Sequence, residues 1–394
     1  MLHMRSRTVI PSALLALLAA GTTPAQGNGS GAFIVRLGTD TVYAERFTRS
    51  ARDIQVEQVI RRPETSLRHT HIALSPSGQV TEVTYMLHRI GAAPDAPLLG
   101  STTLTFAGDS VRIAVKRGDS TLAPRTIAAP AGAIPALPNS YLAYEMAAMR
   151  LRAAKRDSVD VVFVGVGNQP PSRIVARKHG ADSVLFVTPG QGTLRARVDR
   201  EGRLLSLRVP DYTVRVAVER VRTVDIEALA RSWSGTRLGI LSPPDSVIAT
   251  VGGANIALNY SKPSRRGRTV FGGELVPWNV VWRVGANAAT TLRTDRDLVI
   301  SGTPVPAGTY TLWMLPTPSG TKLIINKQTL DANGRPLWGT MYDQSQDLAR
   351  VDVATTKLAA PAEQFTVSVD PAGAGGTIRM VWDTTQMTVP FTVK

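Results

Sequence analysis

Three polar side chains in the stretch Trp282-Arg283-Val284-Gly285-Ala286-Asn287-Ala288-Ala289-Thr290 are the best placed in the sequence to do chemistry. Arg283, Asn287 and Thr290 stand among apolar and small residues, which suggests that the fold takes them at least partly out of water. A guanidinium in such a place either serves backbone carbonyls or holds an anion, and an amide beside it orients whatever is held. Both readings are open. One is a structural network; the other is a site for a small anionic or sugar-like ligand, with Arg283 as charge partner and Asn287 as orienting group. A hydrolytic version of the site needs a carboxylate as well, for which Asp343 and Asp347 are candidates.

Other chemistries are excluded by residue type or by spacing. The chain has no cysteine, so disulfides, thiolate metal sites, iron–sulfur clusters and a cysteine nucleophile are ruled out. No Gly-x-Ser-x-Gly elbow or phosphate-binding Walker loop occurs. Gly165-Val166-Gly167 follows a strand, but Pro170 and Pro171 stand where a nucleotide-binding helix would begin. Among the five histidines, His69 and His71 share a strand face. Counting back from the Ser75–Gly78 loop sets His69 opposite Thr84 or Tyr85, which leaves His88 roughly 10–13 Å farther along, too distant to complete a zinc site. Neither a metal nor a cofactor is expected.

The elements that position these residues follow from composition and pattern. Of the 394 residues, 43% are hydrophobic and 19% charged, as in globular chains long enough for two or three domains. The formal charge is +15, but the excess is spread along the chain. Its densest run, Arg150, Arg152, Lys155 and Arg156, has no interleaved aromatic to stack a base, so nucleic acid is not an expected partner. Residues 1–25 read as an export signal: Arg5 and Arg7 precede an apolar run, and Thr23-Pro24-Ala25 offers a cleavage site. The mature protein is expected to begin near Gln26, to lack a transmembrane segment and to be periplasmic or secreted.

From residue 27 to 231 the sequence reads as β-rich. Strand-like runs are Phe33–Leu37, Thr41–Thr48, Ile54–Arg61, Leu67–Leu74, Val80–Arg89, Thr102–Phe106 and Val111–Lys116. Leu142, Met146, Met149 and Ala153 then mark a helix with Asn139 as its N-cap. Strands resume at Val159–Val164, Arg173–Arg177, Ser183–Val187, Leu194–Val198, Leu204–Val209 and Thr213–Val218. So many antiparallel strands must close or cover their faces, and an open barrel or half-barrel around one helix does both. In element order this outline resembles the half-barrel carriers that ferry lipids across the periplasm, which implies a fold and an apolar ligand.

Residues 232–244 are rich in Gly, Ser and Pro and read as a linker. After it, within 245–394, come Tyr260-Ser261-Lys262-Pro263-Ser264-Arg265-Arg266-Gly267-Arg268, Phe271-Gly272-Gly273, Val276-Pro277-Trp278 and the Trp282–Thr290 stretch. Pro306-Ala307-Gly308-Thr309-Tyr310 and Ile324-Ile325-Asn326-Lys327 follow. In this order the motifs resemble the bacterial family filed as domain of unknown function 2911, which implies an exported β domain without assigned chemistry. Where the family pattern has an acidic residue this chain has Ala288, which argues against carrying a catalytic role over. Thr309–Leu315 pairs naturally with Thr321–Lys327, and Phe365, Val367 and Val369 alternate with Thr366 and Ser368, so an antiparallel β-sandwich is expected. Arg265, Arg266 and Arg268 read as a solvated basic loop. The reading that follows is an exported two-domain, mainly β protein that binds an apolar or anionic ligand, with a lipid or envelope polysaccharide as partner. The alternatives are a hydrolase of envelope material and a structural or interaction module.

Overall fold

The computed structural model describes residues 29–394 apart from 63, 94–95, 190–191, 210–213 and 236–237, so the expected export signal lies outside the described residues. The N-terminal strands are β1 Gly31–Leu37, β2 Asp40–Arg49, β3 Asp53–Ile60, β4 Ser66–Leu74, β5 Val80–His88, β6 Gly100–Ala107, β7 Ser110–Arg117, β8 Ser120–Thr121, β9 Arg125–Ala128 and β10 Ile134–Ala136. After helix α1 (Leu142–Ala154) come β11 Ser158–Gly165, β12 Ser172–Lys178, β13 Ser183–Thr188, β14 Gly192–Val198, β15 Leu204–Arg208 and β16 Ala217–Val221, then helix α2 (Ile226–Trp233). These strands form one sheet in the order β10 to β16, then β1 to β8, with β9 beside β7. The two meanders join where β1 pairs antiparallel with β16, Val35 opposite Val218. The sheet curls until its edge strand β10 packs near β5 without pairing to it. It is a half-barrel and not a closed barrel.

Helix α1 fills the concave side, burying Leu142, Ala143, Ala147, Ala148 and Leu151 in one core with Phe33, Ile72, Leu104, Ile134 and Phe186. Its alanines let backbone approach: at Gly202 (φ 88) a Cβ would lie 2.8 Å from the helix backbone at Ala148 and Met149, a position only glycine fits. Asn139 is not the N-cap. It takes a left-handed φ of 59 two residues earlier, and the opening turn is served by Glu45, which accepts from Tyr141 N at 2.7 Å, and by Ser140 Oγ. Strand β16 lies later than the expected Thr213–Val218. Helix α2 stands where the sequence reading ended the first domain. It is capped by Asp225, which accepts from Ala228 N, and it seats Ile226, Ala230 and Trp233 on the convex side against Ala44, Val59 and Leu67.

The second domain contains β17 Pro244–Val251, β18 Ala254–Ser261, β19 Thr290–Thr294, β20 Leu298–Ile300, β21 Thr303–Val305, β22 Gly308–Thr317, β23 Gly320–Asn326, β24 Asp347–Ala372 and β25 Gly375–Val393. Their order is β17-β18-β19-β22-β23-β24-β25-β20-β21. The expected hairpin is present, with Leu312 opposite Ile325. β24 and β25 form one long hairpin whose register shifts near Lys357, Ala362 and Thr366. Its base continues the sheet of β23, while its far part bends over so that β17 packs against β24. Leu258, Leu292, Leu312 and Ile325 thereby share a core with Phe365, Met380 and Trp382, as the two layers of a sandwich do.

Candidate functional site

Between β18 and β19 the chain makes a tight, irregular passage around Arg283. Val284 (φ 52) and Asn287 (φ 60) are both left-handed and Gly285 sits at φ 152. A β-branched residue in that region is strained, and such strain persists only where the surroundings enforce it. The enforcing contacts are visible. Thr290 Oγ1 donates to Val284 O at 2.5 Å, Trp282 Nε1 donates to Gly285 O at 3.1 Å, and Trp282 is locked among Phe271, Phe365 and Trp382. Gly339 lies against the Arg283 side chain so closely that a Cβ there would overlap its Cδ.

The second component is the Arg265–Arg268 turn, which is not the solvated loop expected from its charge. Arg266 forms an ion pair with Asp40 at the start of β2, and Thr39 N donates to Arg266 O at 3.0 Å, so this turn fastens one domain to the other. Arg265 pairs with Asp383 at 3.3 Å. Arg268 donates to the carbonyls of Arg265 and Ser264 at 2.8 and 2.9 Å. The turn is drawn in by charge pairing of Arg265 and Arg266 and by the carbonyls that Arg268 donates to.

These pieces enclose a cleft of about 210 Å³ between the domains. Arg62 and Arg215 reach it from the half-barrel, Arg266, Arg268 and Arg283 from the sandwich, and Asn287 from the strained passage; no carboxylate is among the described lining residues. The guanidiniums act on one another. Burial, and then the charge of Arg215, pulls Arg283 down to about 10. Burial also lowers Arg268, reinforced by Arg266 and by Arg215 against the opposing pull of Glu274 and Glu363. Arg283 Nε is buried with no hydrogen-bond partner. A cluster of half-buried guanidiniums with no carboxylate among its described lining residues favours an anion, and fixed forks of N–H donors suit an oxyanion.

Of the three residues singled out in the sequence, the structure brings two to the cleft. Arg283 and Asn287 line it, with Asn287 Nδ2 also donating to Ser242 O at 3.3 Å in the segment that joins the domains. Thr290 is buried behind it and braces the backbone. Asp343 and Asp347 do not join Arg283. They belong to a separate network in which Asn326 Nδ2 donates to Asp343 O and Asp347 Oδ1, and Tyr342 and Arg350 donate to Asp347 Oδ2. Ala288 bridges to Trp338 and does not line the cleft. Arg62 and Arg215 are not singled out by the sequence, because they are distant from Arg283 and share no motif with it, while Arg266 and Arg268 read there as part of a solvated loop.

The histidine geometry differs from the sequence reading. A register shift between Ala73 and Leu74 puts His69 opposite Met86 and Leu67 opposite His88. The His69 and His88 rings are therefore neighbours, with centroids 4.4 Å apart. Among the described residues, no group of three or more His, Asp or Glu side chains is placed to hold a metal ion.

A two-domain β protein with a cationic interdomain cleft is thus defined by its fold and site. Residues 242–391, which span the sandwich, match the family described as "Protein of unknown function (DUF2911)". No curated protein matches the chain. Among solved structures, the N-terminal half is similar to the crystal structure of a beta-barrel-like protein of domain of unknown function DUF1849 from Brucella abortus. That likeness has 7% identity and a TM-score of 0.32, over 49% of this chain and 94% of that one. No described helix is long and apolar enough to cross a membrane.

Proposed function

We propose that the chain is an exported, non-catalytic binding protein that takes an anionic molecule of the cell envelope in the cleft between its domains. The observation that carries this reading is Arg283: half-buried beside Arg215, with a buried Nε that has no partner, in a cleft whose described lining contains five arginines and no carboxylate. Binding without turnover is favoured because neither Asp343 nor Asp347 lines the cleft, so a general base is missing from the described lining. Calorimetric titration of the full chain with inorganic phosphate tests the reading. Binding that weakens with added salt and is lost in Arg283→Met is the expected result. Absence of binding to phosphate, sulfate and carboxylates alike overturns it. Intact-mass measurement of secreted protein starting near Gln26 is the expected outcome for export, and retention of residues 1–25 is the contrary one.

A further inference from the structure

We infer that the ligand is an anionic amphiphile, with its head in the arginine cleft and an alkyl tail inside the half-barrel; this rests on the anion reading above. A second cavity, of about 520 Å³, opens on the concave side of the N-terminal sheet beside α1. Its walls include Tyr141, Tyr144, Phe163, Ile174, Leu194 and Val216. Tyr144 stands edge-on to Phe163 and to Phe186, at 5.2 and 5.1 Å between ring centroids, so this wall is packed and preformed. The volume falls within the roughly 300–1,000 Å³ of small-molecule pockets, which are mostly apolar with a few convergent polar groups.

The two cavities are neighbours. Arg62 and Val214 line both of them. Arg62 is held at that boundary by Tyr43, whose hydroxyl accepts from Arg62 Nε and whose ring lies 5.5 Å from the guanidinium. Tyr43 itself lines the apolar cavity. An alkyl chain passing between Arg62 and Val214 therefore leaves a cationic compartment and enters an apolar one. An inorganic ion uses only the first compartment and a neutral hydrocarbon only the second. A molecule with an acidic head on an alkyl chain uses both.

The test is a titration of the full chain with four probes below their micelle concentrations: inorganic phosphate, decyl phosphate, decanoate and decanol. Tighter binding of decyl phosphate than of inorganic phosphate is expected, rising about fourfold for each methylene buried along a hexyl-to-decyl series. Decanoate separates a carboxylate head from a phosphate head, and either acid binding more tightly than decanol supports the inference. Gly165 lines the apolar cavity, and a Cβ there would meet nothing nearer than 3.9 Å. Gly165→Leu is expected to keep inorganic phosphate binding and lose the chain-length gain. Should that variant fail to fold, the chain-length series on the native chain still decides. Decyl phosphate binding no tighter than inorganic phosphate overturns the amphiphile and leaves the anion reading standing. Decanol equalling decyl phosphate overturns the joined head and tail. Failure of both phosphates to bind overturns the anion reading, and this inference with it.

Discussion

Arg220 donates through Nη1 to Glu145 Oε2 at 2.7 Å, and that carboxylate also accepts from Leu204 N at 2.8 Å. Glu145 is buried on α1, while Arg220 lies over the rings of Phe33 and Phe47. One ion pair therefore ties the internal helix to the seam where β1 meets β16.

Removing Glu145 leaves the half-buried Arg220 over two aromatic rings without its counter-charge. Glu145→Ala is expected to cost about 3–5 kcal/mol, as single truncations of buried pairs do. In urea denaturation the double variant Glu145→Ala, Arg220→Ala should cost less than the sum of the two single changes. Additive losses would show that the pair is not coupled.

Glu45 gives the N-terminal domain a pH dependence opposite to that of a salt-bridged carboxylate. Burial raises its carboxyl to about 7 from 4.5 and Glu145 adds to the rise, against hydrogen bonds from Ser140 and Tyr141 N that favour the ionised form. Between those values the folded chain binds more protons than the unfolded one. The neutral carboxyl's contribution is full below about pH 4.5 and is lost as the pH rises through about 7, a change of about 3 kcal/mol. Glu45→Gln should remove this slope and raise stability at pH 8. A chain equally stable at pH 5 and pH 8, with the variant no better, would contradict it.

His88 is depressed below its ordinary 6.5 by burial first and then by its neighbour His69, with Glu227 opposing. The neutral imidazole contributes stability present above about pH 6.5 and lost as the pH falls through the lowered value. Proton-NMR titration should find His88 below the ordinary range and moved upward in His69→Ala. A midpoint at or above 6.5 in the native chain would sink the assignment.

At Arg283 affinity and stability should part company. Its Nε serves no acceptor, so Arg283→Met removes a half-buried cation and keeps most of the packing over Gly339. The melting midpoint is expected to hold or rise while anion affinity is lost. A fall of several degrees would instead identify a structural donor. Asn287→Ala should lower the midpoint, because its amide holds Ser242 O and Ser261 Oγ and its φ of 60 suits asparagine better than alanine.

The strands were legible because their alternation is local: Phe33, Val35 and Leu37 face inward in the sequence as in the fold. Helix α2 was missed because eight residues offer little periodicity, although Asp225 before Ile226, Leu229, Ala230 and Trp233 is a cap followed by an apolar stripe. The three-residue β10 runs parallel to β11, and no turn signal announces a parallel pair. The His69 register failed on one irregular residue near Leu74, since a slip of one position exchanges the faces of a strand. Arg283 and Asn287 could be found because one short stretch holds both. Their companions Arg62 and Arg215 come from the other domain, and only tertiary structure brings them near.

The pairing of β1 with β16 sets an order of events for a chain made from its N-terminus. Until Ala217–Val221 is available, β1 offers an unpaired edge on one side, and Arg220 is not yet there to cover Phe33 and Phe47. The two meanders can form early from local hairpins, but joining them requires closing a very long loop, and such non-local pairing is slow. The half-barrel therefore reaches its final form only when its last strand docks, and the exposed edge of β1 is where an incomplete chain is most open to pairing with another.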